Sequence, residues 1–531
     1  MTLKLPILFK IKGCNFPHHL GFHSTAMLPQ AENSWTIFEA AHLLNRAGFG
    51  GSPPEIKALH ALGREKAVDS LIAPTEPLDA FPVPEWSTAD QALAGMKSRR
   101  EQYRASQMAT RGLSAEKAEM AKREAFQAIQ QKNRQQALEG QSWWFRRMLK
   151  TEAPLREKMT LFWHDHFATS IQKVKQPVLM MIQNEVFRQN AFGSFKDLTQ
   201  AILMDPAMML YLDTQSSKKG MPNENFAREV MELFTLGEGN YSEQDIHEAA
   251  RAFTGYYLDL ANGKVSHNKR QWDPTEKTVF GKTGAFDGRQ VIDLIFEKKQ
   301  AARFMSKKLW EFFVSENPSE STLAALAASF QQADFKTGPL LREIFLSKEF
   351  YSEAVVRTQI KSPVQFIIAM LKQLEISNPP LGFPITAQLQ LGQVLFMPPN
   401  VAGWDWGQAW INTNTLLTRY NLAGFLTKGT GASEPVMPDE KMKIPGMASV
   451  KNMGRGWQGP DYENIAPRAL RENPVDLVDS LIFRFFQSPL PDKARSSFIE
   501  YATSKKGAIF TNSETAELCH LMLSTPYYQL T

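Results

Sequence analysis

The sequence predicts a mainly α fold: one large multi-helix domain carrying a small irregular or β-hairpin excursion and a long loop insertion. Three observations predict it. Apolar residues recur at spacings of three and four in segment after segment, the pattern of a helix that buries one face. That period fails over residues 259–288, where Gly, Asn and Thr accumulate as they do in hairpins and ordered loops. It fails again over 428–470, a stretch rich in Gly, Pro, Lys and Met with no periodicity.

Length and composition bound the function classes. At 531 residues the chain has room for two to four domains, and 43% hydrophobic with 22% charged residues describes an ordinary globular protein with a sizeable core. The net charge of +5 is the small difference between 60 basic and 55 acidic residues, so no nucleic-acid partner is expected. Cys14 and Cys519 are too few for a disulfide framework and lack metal-ligand spacing. No apolar run approaches the roughly 18 residues of a membrane span.

The expected division follows the chain. Residues 1–34 read as a disordered or mis-assigned tail: Lys10 and Lys12 interrupt its apolar run well short of a signal peptide, and Met27 stands just before the patterned sequence. The main helical domain is 35–427, with a charged helical arm at about 97–149, rich in Arg and Lys among Glu and Gln, whose mixed-charge faces read as solvated helix. Residues 428–470 are the flexible insertion, and 471–531 are C-terminal helices expected to pack on the main domain.

The first helix holds His42 one turn from Arg46, and Gly48, Gly50 and Gly51 stop it before Ser52-Pro53-Pro54 starts another. His42 reads as a core histidine, and Arg46 is a candidate binding residue. Next, Ala153–Ser170 forms a helix that is apolar nearly all round and is therefore buried. Its interior His164-Asp165-His166 triplet must find partners. His164 and His166 point about 200° apart on an ideal helix, so one of them, His166 by preference, is expected to join a second ionisable cluster elsewhere, with His164 or Asp165 as an acid. The competing reading pairs a histidine with a backbone carbonyl or with the neighbours of Asp165.

That second cluster is expected on the helix restarting at Asn223, after a polar turn over 214–222. Phe226, Val230, Leu233 and Phe234 face a core, while Asn225, Glu229 and Glu232 share a stripe beside them. Gly237 and Gly239 end the helix, and Ser242 with Asp245 begins the next in a short-armed capping box. Two readings of the stripe stay open. In one, Glu229 and Glu232 answer Arg228, Arg251 and helix-end donors as a structural network. In the other they are metal ligands or a general base, with His166 as partner ligand, Arg228 as anion clamp and Asn225 as orienting group; two carboxylates plus a histidine suit a divalent metal. Asp213 and Asn223 flank the turn as binding candidates, and Lys277 with Asp273 is expected to reach back from the excursion.

A last unusual patch surrounds Pro398 and Pro399, which force extended chain, and Gly403 and Gly407, which permit tight turns. Trp404, Trp406 and Trp410 there either stack on a sugar or other flat ligand or pack an irregular loop. No Gly-rich phosphate loop, GxSxG, HExxH, CxxC or EF-hand pattern occurs, which removes the common nucleotide, serine-hydrolase and zinc-finger readings. The function expected is a metal-dependent, hydrolase-like enzyme with a buried His/Glu/Arg site; the alternative is a non-enzymatic accessory or scaffold protein with a structural polar network.

The segments HLLNRAGFG (42–50), PLREKMTLFWHDHFATS (154–170), DPAMMLYLD (205–213), NENFAREVMELFTLGEGNYSEQDIHEAARAFTG (223–255), KSPVQF (361–366) and PPNVAGWDWGQAWINTNTLLTR (398–419) together resemble the signature blocks of a bacterial family catalogued as domain of unknown function 1800. The resemblance spans nearly the whole chain and implies no established activity. It implies export in many members, and a partner encoded nearby that resembles the alkaline phosphatase and sulfatase superfamily. This chain departs from the pattern in lacking a convincing leader, so a cytoplasmic location is expected, with export the alternative. It also has Trp272-Asp273 ahead of Lys277 where the resemblance implies His-Asp.

Overall fold

A computed structural model describes residues 28–531 except 33, 89, 98–100, 102–113, 260, 262, 381, 430–455 and 506–509. Its centre is the helix Pro154–His166, with Pro154 in the first turn and every residue buried. Such a helix needs partners all round. It packs chiefly on Pro177–Gln189, and also on Arg64–Ile72, Ala115–Lys150 and Ile37–Ala47.

Inside that packing Glu157, 1% exposed, accepts hydrogen bonds from Arg147 Nε at 2.7 Å, Arg188 Nε at 2.6 Å, Arg188 Nη2 at 3.0 Å and Trp144 Nε1 at 3.0 Å. Arg188 also pairs with Glu185 at 2.9 Å, so two arginines meet two carboxylates. Burial pushes the Glu157 carboxyl up, but Arg188 and Arg147 outweigh it and hold it below the usual carboxylate range.

The described part of the expected charged arm is one continuous helix, Ala115–Lys150; residues 98–100 and 102–113 lie outside the described residues. Its first half is largely exposed, but its last turns bury Trp143, Trp144, Phe145 and Met148. The arm is therefore half solvated and half core.

In the central stretch, Asp205 caps the helix Pro206–Tyr211 through Met208 N, and a 3₁₀ turn follows at Thr214–Ser216. Helix resumes at Asn225–Glu229 and then widens into a π-helix, Val230–Thr235. Leu236 N reaches Met231 O, five residues back, at 2.9 Å, and Thr235 Oγ1 donates to Val230 O. Ser242 and Asp245 form the reciprocal cap of the helix Glu243–Ala252.

The excursion is two antiparallel hairpins, Tyr256–Asp259 with Lys264–His267 and Lys277–Val279 with Lys282–Gly284. The Lys277 ammonium is bonded within the excursion. Its Nζ donates to Asp273 O at 2.6 Å and Thr275 O at 2.8 Å, while Asp273 Oδ2 accepts from Arg251 Nε at 2.9 Å. The pair fastens the excursion to the helix Glu243–Ala252.

Helices from Gly288 to Phe313 and from Glu320 to Leu346 form scaffold around this centre. Pro474–Phe485 packs on Pro363–Gln373, and Asn512–Leu523 on Thr413–Lys428. Arg419 joins these parts, donating to Gln529 Oε1 at 3.0 Å and Lys361 O at 2.9 Å, while Lys361 Nζ donates to Tyr528 O at 2.6 Å. Buried apolar side chains from Leu28 to Tyr528 form one continuous core. The expected tail is described only from residue 28, and the expected insertion falls mostly on 430–455, outside the described residues. Its final part is built into the fold: Tyr462, in the helix Tyr462–Ile465, donates to Thr427 O at 2.7 Å. Among the described residues no helix is long and apolar enough to cross a membrane.

Replacing Glu157 leaves two buried guanidinium groups short of a counter-charge, and breaking a buried pair costs about 3–5 kcal/mol. Glu157→Gln is therefore expected to lower unfolding free energy in urea by about that amount. A loss below about 1 kcal/mol would mean that this cluster does not hold the central helix.

Candidate functional site

Lys158, Leu161, Phe162 and Asp165 fall at i, i+3, i+4 and i+7 on the central helix, so they share one face. All four line a cavity of about 840 Å³. Glu157 and His164, seven residues apart, share a different face. The helix thus presents its charge-compensated side to the arginine cluster and a second set of ionisable groups to an open chamber. Arg46, His166, Lys308 and the tryptophans 404, 406 and 410 complete the part of the lining that matters here.

Asp165 is held from outside its own helix. The chain turns between Asn400 and Gly403, and Trp404 N donates to Asp165 Oδ1 at 2.7 Å, with a further bond from the Trp406 side chain. Gly403 sits at φ +91°, and a Cβ there would lie 2.4 Å from Asp165 Oδ1 and 2.6 Å from Asp165 O. Glycine is required both by conformation and by this approach. Burial pushes the Asp165 carboxyl up to about 7, against the pull of Trp404 N–H and of the Lys308 ammonium. Burial also lowers Lys308, with Asp165 and Glu311 opposing it.

His166 Nε2 lies 2.9 Å from Phe234 O, and a carbonyl only accepts, so this nitrogen carries the proton. The other ring nitrogen faces Lys308 Nζ at 3.2 Å as an acceptor. Burial and then Lys308 keep the ring neutral, well below the ordinary histidine range. Phe234 lies in the π-turn, where a helix end leaves carbonyls without partners. His166 satisfies one, and Gln300 Nε2 satisfies Leu236 O at 3.0 Å.

Arg46 and Lys158 are the chamber's unusual cations. Arg46, 2% exposed, donates to the carbonyls of Phe313, Val314 and Val355 at 3.2, 2.8 and 2.6 Å and to Thr358 Oγ1 at 3.3 Å. Lys158, 5% exposed, donates to Gln365 Oε1 at 3.0 Å. Neither pairs with a carboxylate among the described residues. Burial lowers Arg46 to about 9; burial and then Arg46 lower Lys158 to about 7.

The expected union of His166 with the carboxylate stripe is not formed. His166 reaches the same helix, but at a backbone carbonyl, and both its ring nitrogens are engaged. Glu229 and Glu232 are half-buried. Tyr241 Oη donates to Glu232 Oε2 at 2.5 Å, and burial, with Glu232 beside it, raises the Glu229 carboxyl against the pull of Arg228. Arg228 grips Glu243 at 2.8 Å and Glu224 at 3.5 Å. Asn225 Nδ2 donates to Leu212 O at 3.4 Å, Asn223 Oδ1 accepts from Asn225 N at 2.9 Å, and Asp213 pairs with Lys173 at 2.8 Å. Apart from Asp213–Lys173, these contacts stay within the stretch from Leu212 to Glu243. Among the described residues no three His, Cys, Asp or Glu side chains could hold a metal ion together. His164 is set apart as well, packed edge-on against Trp144, Phe396 and Trp404 at centroid distances of 5.4, 5.6 and 5.7 Å and lowered by burial to about 3.

The expected candidates that do meet at the chamber are Arg46, Asp165, His166, Trp404, Trp406 and Trp410, drawn from the ends and the middle of the chain. A family profile described as a protein of unknown function (DUF1800) matches residues 42–530. The chain belongs to the DUF1800 family. No curated protein and no solved structure matches it. The chamber of this DUF1800 protein is thus described from its own residues. Lys158 and Lys308 were not singled out by sequence reasoning. A lysine seven residues before Asp165, on the same face of a helix buried along its whole length, was a readable signal for the first; nothing separates Lys308 from its exposed neighbour Lys307.

Between pH 3.8, the carboxyl's ordinary value, and about 7, native Asp165 keeps a proton that the unfolded chain has lost. Stability therefore falls by about 1.4 kcal/mol per pH unit as pH rises through this window, and this contribution is flat above it. Asp165→Asn is neutral in both states and still accepts the Trp404 N–H. Urea unfolding is expected to show the variant gaining stability relative to wild type by a few kcal/mol from about pH 4 to about pH 7. A difference that does not change with pH would contradict the assignment.

Proposed function

We propose that the chamber is a reaction site at which Asp165 and Lys308 exchange a proton with a bound small organic molecule, by general acid–base catalysis that includes hydrolysis. The observation that carries this reading is Asp165 itself: a carboxyl at the wall of a large cavity, oriented by Trp404 and Trp406, with a titration point near 7 where both protonation states are populated. Lys308 supplies the counter-charge when Asp165 ionises, and neutral His166 fixes Lys308 through its ring nitrogen. The metal-dependent form expected from the Glu229, Glu232 and His166 combination has less support, since Glu232 is engaged by Tyr241 and both ring nitrogens of His166 are engaged elsewhere.

A second reading, the non-enzymatic scaffold, is favoured by the ion-pair clusters Arg228–Glu243 and Arg251–Glu248–Asp273, which close on themselves. Untargeted mass spectrometry of a cell metabolite extract incubated with the protein separates the two. The enzymatic reading expects at least one compound consumed by wild type and spared by folded Asp165→Asn and Lys308→Ala, with a rate that titrates near pH 7. If no compound distinguishes wild type from the folded variants, and the variants differ only in melting temperature, the scaffold reading stands instead.

A further inference from the structure

Each half of the chamber treats charge differently. Asp165 and Lys308 lie close enough for each to shift the other. Arg46 and Lys158 have no such counterpart: every hydrogen-bond partner of both is a neutral oxygen, burial makes the charge of each harder to hold, and Arg46 adds to that at Lys158. Burying one unpaired cation is costly, and burying two side by side is more so. Proteins keep such pairs where a ligand brings the missing charge.

The geometry supports that use. Lys158 has one hydrogen-bond partner among the described residues, Gln365 Oε1, so two of its three ammonium protons are free for a ligand. Its Nζ lies over the rings of Phe49 and Phe312 at 5.2 and 5.4 Å, which stabilise the cation without neutralising it. Arg46 is fixed by its carbonyl contacts, so it contributes charge from a set position rather than a mobile fork. Around them lie Phe162, Phe312, Trp404 and Trp406, with Trp406, 48% exposed, packed edge-on to Phe312 at 4.8 Å. The remaining ionisable side chains lining the chamber are Asp165, His166, Lys308, Glu311 and Glu316.

We infer that Arg46 and Lys158 form the seat for an oxyanion, a carboxylate or a phosphate, of a small organic ligand whose flat or apolar body lies against Phe162, Phe312, Trp404 and Trp406. This deepens the reading of the chamber as a small-molecule site, but it concerns binding alone and requires no turnover. Lys158 is the discriminating group. A bound oxyanion returns the proton that burial takes from it, so binding above about pH 7 consumes a proton.

Titration calorimetry with benzoate, phenyl phosphate and the uncharged benzamide tests the seat. The expected result is that one or both anions bind about tenfold or more tightly than benzamide, with close to one proton taken up near pH 8 when buffers of different ionisation enthalpy are compared. The tighter anion names the headgroup. Lys158→Met is expected to erase the preference and the proton uptake, whereas Lys158→Arg keeps the preference and loses the uptake. Asp165→Asn is expected to bind the anions undiminished, which separates a failure of the seat from a failure of the proposed chemistry. Equal binding of benzamide, absence of binding by either anion at millimolar concentration, or an anion preference that survives Lys158→Met would overturn the seat.

Discussion

The fold turns on one buried carboxylate. Glu157 sits between Arg147 and Arg188 with an indole N–H on the same oxygens, and Glu185 balances the remaining charge. An ion cluster this deep gains little net stability over an apolar packing, because desolvation offsets most of the attraction. What it does is fix orientation. A helix buried on every side is not fixed in rotation by apolar burial alone; its polar residues must each meet their partners. One rotation alone brings Glu157 to both arginines, and that rotation turns Lys158, Leu161, Phe162 and Asp165 towards the chamber.

Two neighbouring faces of one helix therefore follow opposite electrostatic rules. On the Glu157 side, charges are matched and the carboxyl is held below its ordinary range. On the chamber side, Asp165 and Lys158 are both displaced towards 7, from opposite directions, by the same burial. The Trp404 loop makes this possible by closing over Asp165 without neutralising it. Its approach is so near that position 403 has no room for a side chain. The π-turn contributes at the far end, where its freed Phe234 carbonyl takes His166 and leaves the imidazole neutral beside Lys308.

Much of this was legible in the sequence. Three- and four-residue spacing gives the helices, the loss of that spacing locates the hairpins, and Ser242 with Asp245 marks a helix start that the structure shows. The run of large apolar residues in Ala153–Ser170 marks the buried centre, though the helix also buries seven polar residues that the apolar reading passes over, and the glycines and tryptophans from 403 to 410 mark an irregular loop that turns out to face it. The partnership of His166 was not legible. A 100° helical wheel assumes unbroken α-helix, and the π-turn from Val230 changes the register within the stripe it was used to draw. Nor does a sequence say whether a buried polar group will meet a side chain or an orphan carbonyl. Arg46 and Lys158 lie 112 positions apart, and their shared lack of a carboxylate is a property of three-dimensional neighbourhoods that no local pattern encodes.

The central claim is that the Glu157 cluster sets the face on which Lys158 meets the chamber. Competitive acylation of the native protein, read by mass spectrometry across pH, reports the titration of Lys158 separately from the surface lysines. The account predicts a midpoint near 7 in wild type, against an ordinary value of 10.5, and a marked return towards the ordinary value in folded Glu157→Gln. Lys158 reacting like a surface lysine in wild type, or keeping its low midpoint when Glu157 is replaced, would contradict it.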